Sequence, residues 1–115
     1  MYQFAYAEIA EDTAQDCRGR ERQVFDRAIT LLKLARERGA KSRESVEALF
    51  FLRRLWNALI EDLSNPENGL PQALRASLIS IGLWVMKETD LIRLAQSENF
   101  DGLIEMNVIL RDGLN

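Results

Sequence analysis

The ionisable side chains of this sequence lack the combinations on which most enzyme active sites depend. None of the 115 residues is a histidine, so imidazole acid–base catalysis, a Ser-His-Asp arrangement and nearly all zinc sites are excluded. Cys17 is the only cysteine, and there is no imidazole to activate its thiol. It cannot form an internal disulfide either, which favours a reducing cytoplasm. We therefore expect a protein that is not an enzyme.

Two pairs of nearby carboxylates, Glu61 with Asp62 and Glu88 with Asp90, are the remaining candidates for acid–base or metal chemistry. Adjacent residues on a helix point about 100° apart, so Glu61 and Asp62 do not converge on one ligand. Solvated helix faces and helix-end charges explain these side chains. A glycine-rich phosphate loop is also absent. The sequence thus predicts no catalytic residue, metal, cofactor or small-molecule substrate.

Local clusters of basic residues are the feature most typical of nucleic-acid binding. The net charge of −3 argues against a general nucleic-acid binder. No aromatic residue is interleaved with the clusters in the pattern that stacks on single-stranded bases. A solvated surface is the simpler interpretation, and RNA contact stays open as the alternative. The clusters are Arg18-Arg20-Arg22, Arg36-Arg38-Lys41-Arg43 and Arg53-Arg54.

Helical periodicity accounts for most of the chain that carries these side chains. Apolar residues recur at steps of three and four, as one face of an amphipathic helix requires. The short connections between the periodic segments imply antiparallel neighbours, so we predict an all-α, compact antiparallel bundle of about four helices. It forms a single domain, residues 1–115, with an N-terminal arm or short helix over residues 1–12 and the bundle over 13–115. The helices are predicted from about Thr13 to Arg38, from just after Ser42 to about Leu63, from Pro71 to about Ala95, and from about Phe100 to Arg111.

Residues that start and stop helices support these boundaries. Ser42 and Asn99 are suited to cap free backbone N–H groups, and Gly39 is suited to the left-handed conformation that ends a helix. Asn65-Pro66 ends the second helix, because proline disfavours helical geometry in the residue before it. Gly82, inside the third helix, predicts a close approach of two helices near Trp84, with a simple weak point in the helix as the alternative.

Each predicted helix has a stripe of residues expected to be buried. Leu49, Leu52 and Val85 are assigned to the core outright. The expected stripes are Val24, Ala28, Leu31, Leu32 and Ala35, flanked by Phe25 and Ile29, in the first helix; Leu49, Leu52, Trp56, Leu59 and Leu63 in the second; Leu74, Leu78, Ile81 and Val85 in the third; and Phe100, Leu103, Ile104 and Val108 in the fourth.

The second and third helices carry more apolar surface than one core-facing stripe requires. Such helices are either central in the fold or reserved for a partner. Tryptophan and other aromatic residues contribute most at interfaces, although a tryptophan on a bundle helix is more often a core residue. The candidate partner contacts are Phe50, Phe51, Trp56, Ile60, Leu83 and Trp84, with Tyr2, Phe4 and Tyr6 as a lid.

Neither a membrane span nor a secretion signal is expected. No apolar run approaches the ~20 residues that a bilayer span needs. The N-terminus has no basic region and soon reaches Glu8, Glu11 and Asp12, which is unlike a secretion signal. These features favour a cytoplasmic protein that does not bind membranes.

Several blocks carry a family likeness: Tyr2–Glu8, Ala48–Leu52, Leu59–Leu63, Leu74–Trp84 and Gly102–Glu105. Through them the whole chain resembles FlaF, the flagellar biosynthesis regulators of alphaproteobacteria. The resemblance implies a cytoplasmic, non-enzymatic factor that is needed for flagellin production and opposes FlbT, a repressor of flagellin mRNA translation. It also implies flagellin as the partner, bound as a secretion chaperone or as a sensor coupling export to translation. It supplies no binding residues.

Three hypotheses follow for the function. The first is a regulator that binds an amphipathic flagellin helix in an apolar groove, since the resemblance implies that flagellin ends are such helices, paired only in the filament. The second is an RNA-associated regulator acting on flagellin mRNA directly or with FlbT. The third is a structural dimer whose extra apolar surface pairs with its own copy. Binding of RNA by charge weakens steeply as salt rises, whereas binding in an apolar groove does not.

Overall fold

The computed structural model describes residues 14–113, with side chains from residue 21 onward. Four helices make up this part of the chain: α1 (Ala14–Arg38), α2 (Arg43–Ser64), α3 (Gln72–Arg93) and α4 (Phe100–Asp112). No strand occurs within residues 14–113. The predicted all-α fold is confirmed, and each helix end lies within two residues of its predicted position. The predicted arm over residues 1–12 lies outside the described residues.

The predicted capping residues lie at the helix ends as expected. Ser42 Oγ accepts a hydrogen bond from the Ser45 backbone N–H at 3.1 Å, and Asn99 Oδ1 accepts one from Gly102 at 3.0 Å. Gly39 ends α1 with a φ of 101°, a conformation that glycine adopts without steric cost. Each cap satisfies backbone groups that a helix end leaves without a partner inside the helix.

The core lies mainly between α1, α2 and α4. Helix α1 packs against both α2 and α4, whereas α3 packs chiefly against α2. Phe25 of α1 meets Trp56 of α2 edge to face, with ring centroids 6.3 Å apart, a favoured arrangement for two aromatic rings. Arg111 pairs with Asp26 at 2.9 Å and joins α4 to α1. The molecule is elongated, 43 × 25 × 20 Å, with the helices along its length.

The predicted buried stripes need correction in three helices. In α1, Phe25 and Ile29 are core residues rather than flanking ones, whereas Val24 and Leu31 are half-buried. Three other predicted stripe residues are half-buried: Leu78 and Ile81 in α3, and Val108 in α4. In α3, Leu74 is 44% exposed instead of buried. The reason is that α3 buries only Gly82 and residues beyond it, so its N-terminal half stands away from the core.

At Gly82, α3 packs closely against α2. A Cβ at this position would lie 2.9 Å from Ile60 Cδ1 and 2.9 Å from Trp56 Cε3, closer than carbon atoms pack. The predicted close approach is therefore confirmed. After Gly82 the buried residues Val85, Thr89 and Ile92 follow one narrow stripe toward the C-terminal end of α3.

Candidate partner-binding groove

An open apolar groove of about 620 Å³ lies at one end of the bundle. It forms because the N-terminal half of α3 stands away from the core, leaving a gap between α3, the last turns of α2 and α4, and the first half of α1. Its apolar lining comes from all four helices and from the α2–α3 turn. The main lining residues are Phe25, Leu59, Leu63, Leu70, Leu74, Leu78, Ile109 and Leu110.

The groove has a buried floor and an exposed rim. Leu59 and Leu63 of α2 form the floor and are buried in the core. Leu70, Leu74 and Ile109 form the rim, and all three are exposed large apolar side chains. Apolar surface that faces water in this way is stabilised when another apolar surface covers it.

The turn that carries Leu70 is held by side-chain hydrogen bonds. Asn65 Oδ1 accepts from the Glu67 backbone N–H at 2.9 Å, and Asn68 Oδ1 accepts from the Leu70 N–H at 2.9 Å. Arg75 Nη1 donates to the backbone carbonyl of Asn65 at 3.1 Å, which ties α3 to the end of α2. Because these bonds fix the turn, the rim at Leu70 is positioned before anything binds.

Asp62 is the main ionisable group in the floor of the groove. It is only 7% exposed, and Asn68 Nδ2 donates to its carboxylate at 3.4 Å and to its backbone carbonyl at 3.2 Å. Burial raises the pKa of Asp62, and the hydrogen bond from Asn68 partly opposes that shift. Among the side chains that the structure describes, from residue 21 to residue 113, no three carboxylates lie together as metal ligands. The mainly apolar lining makes the groove suited to binding apolar side chains.

Trp56, a predicted partner contact, is placed in the core. It is 1% exposed, and its indole N–H donates to Asn107 Oδ1 at 3.2 Å. A buried indole N–H needs such a partner, and Asn107 of α4 supplies it. Trp56 reaches the groove only from beneath the floor, so it supports the groove and offers a partner no exposed surface.

The other predicted contacts lie on α2 and α3 but do not form one groove. Phe50 is 62% exposed, and Leu83 and Trp84 are also exposed. Gly82 lies against Ile60, so Leu83 is at the level of Ile60, whereas Phe50 is ten residues away along α2, about 15 Å. Phe50 and the pair on α3 are therefore separate surfaces.

Phe51 and Ile60 are half-buried, and Tyr2, Phe4 and Tyr6 lie outside the described residues. Phe51 packs against the core, with the Arg27 guanidinium carbon 5.9 Å from its ring centre. Ile60 fills the space beside Gly82. Both side chains thus contribute mainly to packing between helices.

The rim of the groove was not among the predicted contacts. Leu70, Leu74 and Leu78 recur at four-residue steps, and that spacing indicated a shared face. Leu74 and Leu78 were predicted as core residues. Periodicity shows which residues share a helix face, but it does not show whether that face packs against another helix or faces solvent. Ile109 had no signal of its own, since it lies beside the stripe of α4.

None of the helices within residues 14–113 is both long and apolar enough to cross a membrane. A family model described as flagellar protein FlaF matches residues 2–114. The matched range contains the segment before α1 and every residue of the groove. No curated protein and no solved structure matches the chain.

Proposed function

This chain belongs to the FlaF family of flagellar proteins, and on that premise we propose that it regulates flagellum biogenesis by binding flagellin in the apolar groove. The open groove at the end of the bundle is the observation that carries the proposal. In this role the protein acts in the cytoplasm, without catalysis, as a flagellin chaperone or as a link between flagellin secretion and translation in opposition to FlbT.

The shape and chemistry of the groove suit one face of an amphipathic helix. The part of α2 along the groove, from Trp56 beneath the floor to Leu63 in it, is about 10 Å or two helical turns long. Apolar residues of a bound helix at positions i, i+3 and i+4 can lie between this floor and the rim at Leu74 and Ile109. Such a helix keeps its apolar face away from water until flagellin assembles.

The exposed surface around Leu83 and Trp84 lies outside the groove. Both side chains face solvent on α3, and tryptophan is enriched among residues that dominate binding energy. We assign this surface to a second protein contact, for which FlbT is the candidate. Phe50 forms a third, smaller patch, where the Arg54 guanidinium carbon lies 5.7 Å from its ring centre.

Ion pairs made by three arginines of the predicted basic clusters favour a protein partner over RNA. Arg36 binds Asp101 at 2.6 Å, Arg53 binds Asp90, and Arg43 lies 3.3 Å from Glu47. An arginine that is paired with a carboxylate has less charge to offer a phosphate backbone. The groove offers an apolar protein helix a binding surface, whereas the paired arginines offer RNA no comparable one. We therefore rank flagellin ahead of flagellin mRNA.

Titration calorimetry against monomeric flagellin, at low and high salt, tests the proposal. We expect saturable binding that persists at high salt and that Leu74→Glu weakens at least tenfold by placing a charge on the rim. Leu94→Glu is the matched control, because Leu94 is 54% exposed at the opposite end of α3. Equal binding by the two variants would overturn the groove assignment. Binding lost at high salt would indicate a charged contact, as for RNA.

A further inference from the structure

The groove lies where the chain enters the bundle. Glu21 and Phe25 of α1 line it, and α1 begins at Ala14, so Glu21 is about 10 Å from the start of the helix. The same end holds the last turns of α2 and α4 and the first turns of α3. The N-terminus of α1 therefore lies at the end of the bundle that holds the groove.

The segment before α1 has the composition of a groove ligand. Seven of the nine residues from 2 to 10 are aromatic or aliphatic, and residues 2–7 carry no charged side chain. Nine residues extend at most about 30 Å, which is enough to follow a floor of about 10 Å. The segment is therefore apolar enough and long enough to cover the groove of its own chain.

The groove and the segment are complementary in polar groups as well as in apolar surface. The Asp62 carboxylate in the floor can only accept hydrogen bonds when it is ionised, and a tyrosine hydroxyl can donate one. Tyr2 and Tyr6 supply such donors beside Phe4. The range that the family model matches begins at residue 2 and includes both the segment and the groove.

We propose that, in the free protein, residues 2–10 occupy the groove of their own chain through Tyr2, Phe4 and Tyr6. A tethered segment acts at a local concentration of the order of millimolar, so it covers the rim even when its intrinsic affinity is weak. The proposal has a second part, which rests on the proposed function: a flagellin helix must displace the segment before it can bind in the groove. If the segment occupied the groove about 99% of the time, the apparent affinity for flagellin would fall about 100-fold.

Occupancy can be tested on the full chain without flagellin. A nitroxide label is attached at Gln3→Cys in a Cys17→Ser background, and relaxation of methyl groups is measured by NMR. We expect broadening at Leu63, Leu74, Leu78 and Ile109, and sharp signals at Val46 and Leu94 at the opposite end. Uniformly sharp groove methyls would overturn the proposal. Broadening that appears only between a labelled copy and a separate isotope-enriched copy would also overturn it, in favour of a second chain.

Displacement is tested by weakening the segment in the full chain. The double variant Phe4→Ser/Tyr6→Ser is expected to bind flagellin at least threefold more tightly than the parent, because the competing segment is weaker. Weaker binding by this variant would show that the segment contacts bound flagellin, and it would overturn displacement. If neither protein binds flagellin, the proposed function and displacement both fail, while the label experiment still decides whether the segment occupies the groove.

Discussion

The hydrogen bond between Trp56 and Asn107 is the main polar contact inside the core. Asn107 is fully buried; its Oδ1 accepts from the indole N–H at 3.2 Å and its Nδ2 donates to the Leu103 carbonyl at 2.7 Å. A buried polar group that loses its partner costs about 1–3 kcal/mol. This pair therefore fixes how α4 packs on α2 beneath the groove.

Trp56→Phe should lower the free energy of unfolding by about 2–4 kcal/mol. The substitution removes the donor to Asn107 and leaves a small cavity, and the two costs add. Urea unfolding of the single variant, of Asn107→Leu and of the double variant gives the coupling between the two residues. A coupling near zero would contradict the assignment of Trp56 to the core hydrogen bond.

Gly82→Ala should destabilise the protein by about 1–3 kcal/mol, although alanine favours helices by about 1 kcal/mol over glycine. The added Cβ meets Ile60 Cδ1 and Trp56 Cε3 at 2.9 Å, and the buried indole ring cannot move aside without disturbing the core. Gly69→Ala is the matched control, since nothing lies within 4 Å of a Cβ there. Thermal melts of both variants measure the difference, and similar melting temperatures would contradict a tight α2–α3 contact.

Asp62→Asn should stabilise the protein at neutral pH by up to about 1 kcal/mol. Burial raises the pKa of Asp62 above its ordinary value of 3.8, so the folded state holds this proton more tightly than the unfolded chain. The contribution of Asp62 to stability is then largest below pH 3.8 and is lost as pH rises through the folded pKa. The ionisable groups nearby are Glu21 on α1 and Arg75 on α3.

Urea unfolding at several pH values from about 3.5 to 7 measures this effect. The gain from Asp62→Asn should grow as pH rises through the window, because asparagine carries no charge in the floor of the groove. Glu61→Gln is the control, since Glu61 is an exposed neighbour whose substitution should change stability little. A gain that is independent of pH would contradict an ionised, desolvated Asp62.

At the scale of the helices, the sequence was sufficient to predict where each helix begins and ends. It was not sufficient to predict which part of α3 packs against the core. Ser42, Asn99 and Gly39 determine helix ends through local hydrogen bonds and backbone conformation, so their effects are visible within a few residues. Leu74 and Leu78 depend on where α4 and α1 lie, which is a property of the tertiary packing. The groove was therefore predicted as an excess of apolar surface, but its location was not.

The two halves of α3 should differ in local stability. The half before Gly82 buries no residue, whereas Val85, Thr89 and Ile92 are buried in the second half. Local opening needs less free energy where few apolar contacts are lost. Hydrogen exchange should therefore be at least tenfold faster at the amides of residues 76–80 than at those of residues 85–92. Equal protection along α3 would contradict a loosely attached first half.

At the scale of the whole molecule, the exposed apolar residues are distributed over separate surfaces. The groove rim lies at one end, Leu83 and Trp84 lie on the outer side of α3, and Phe50 with Val46 lies toward the opposite end. A stable dimer usually buries about 1,200 Å² or more in one continuous interface. Among the side chains from residue 21 to residue 113, the exposed apolar residues do not join into one continuous surface of that kind.

We therefore expect the isolated protein to be a monomer, with a light-scattering mass near 13.2 kDa that does not change on dilution. If residues 2–10 cover the groove, weakening them with Phe4→Ser/Tyr6→Ser leaves the rim exposed and should make self-association at high concentration measurable. Adding Leu74→Glu to that variant should restore the monomer, because a charge on the rim opposes apolar pairing. A parent protein that scatters with twice the monomer mass at every dilution would instead favour the structural-dimer hypothesis, and the rim would then be an interface between copies.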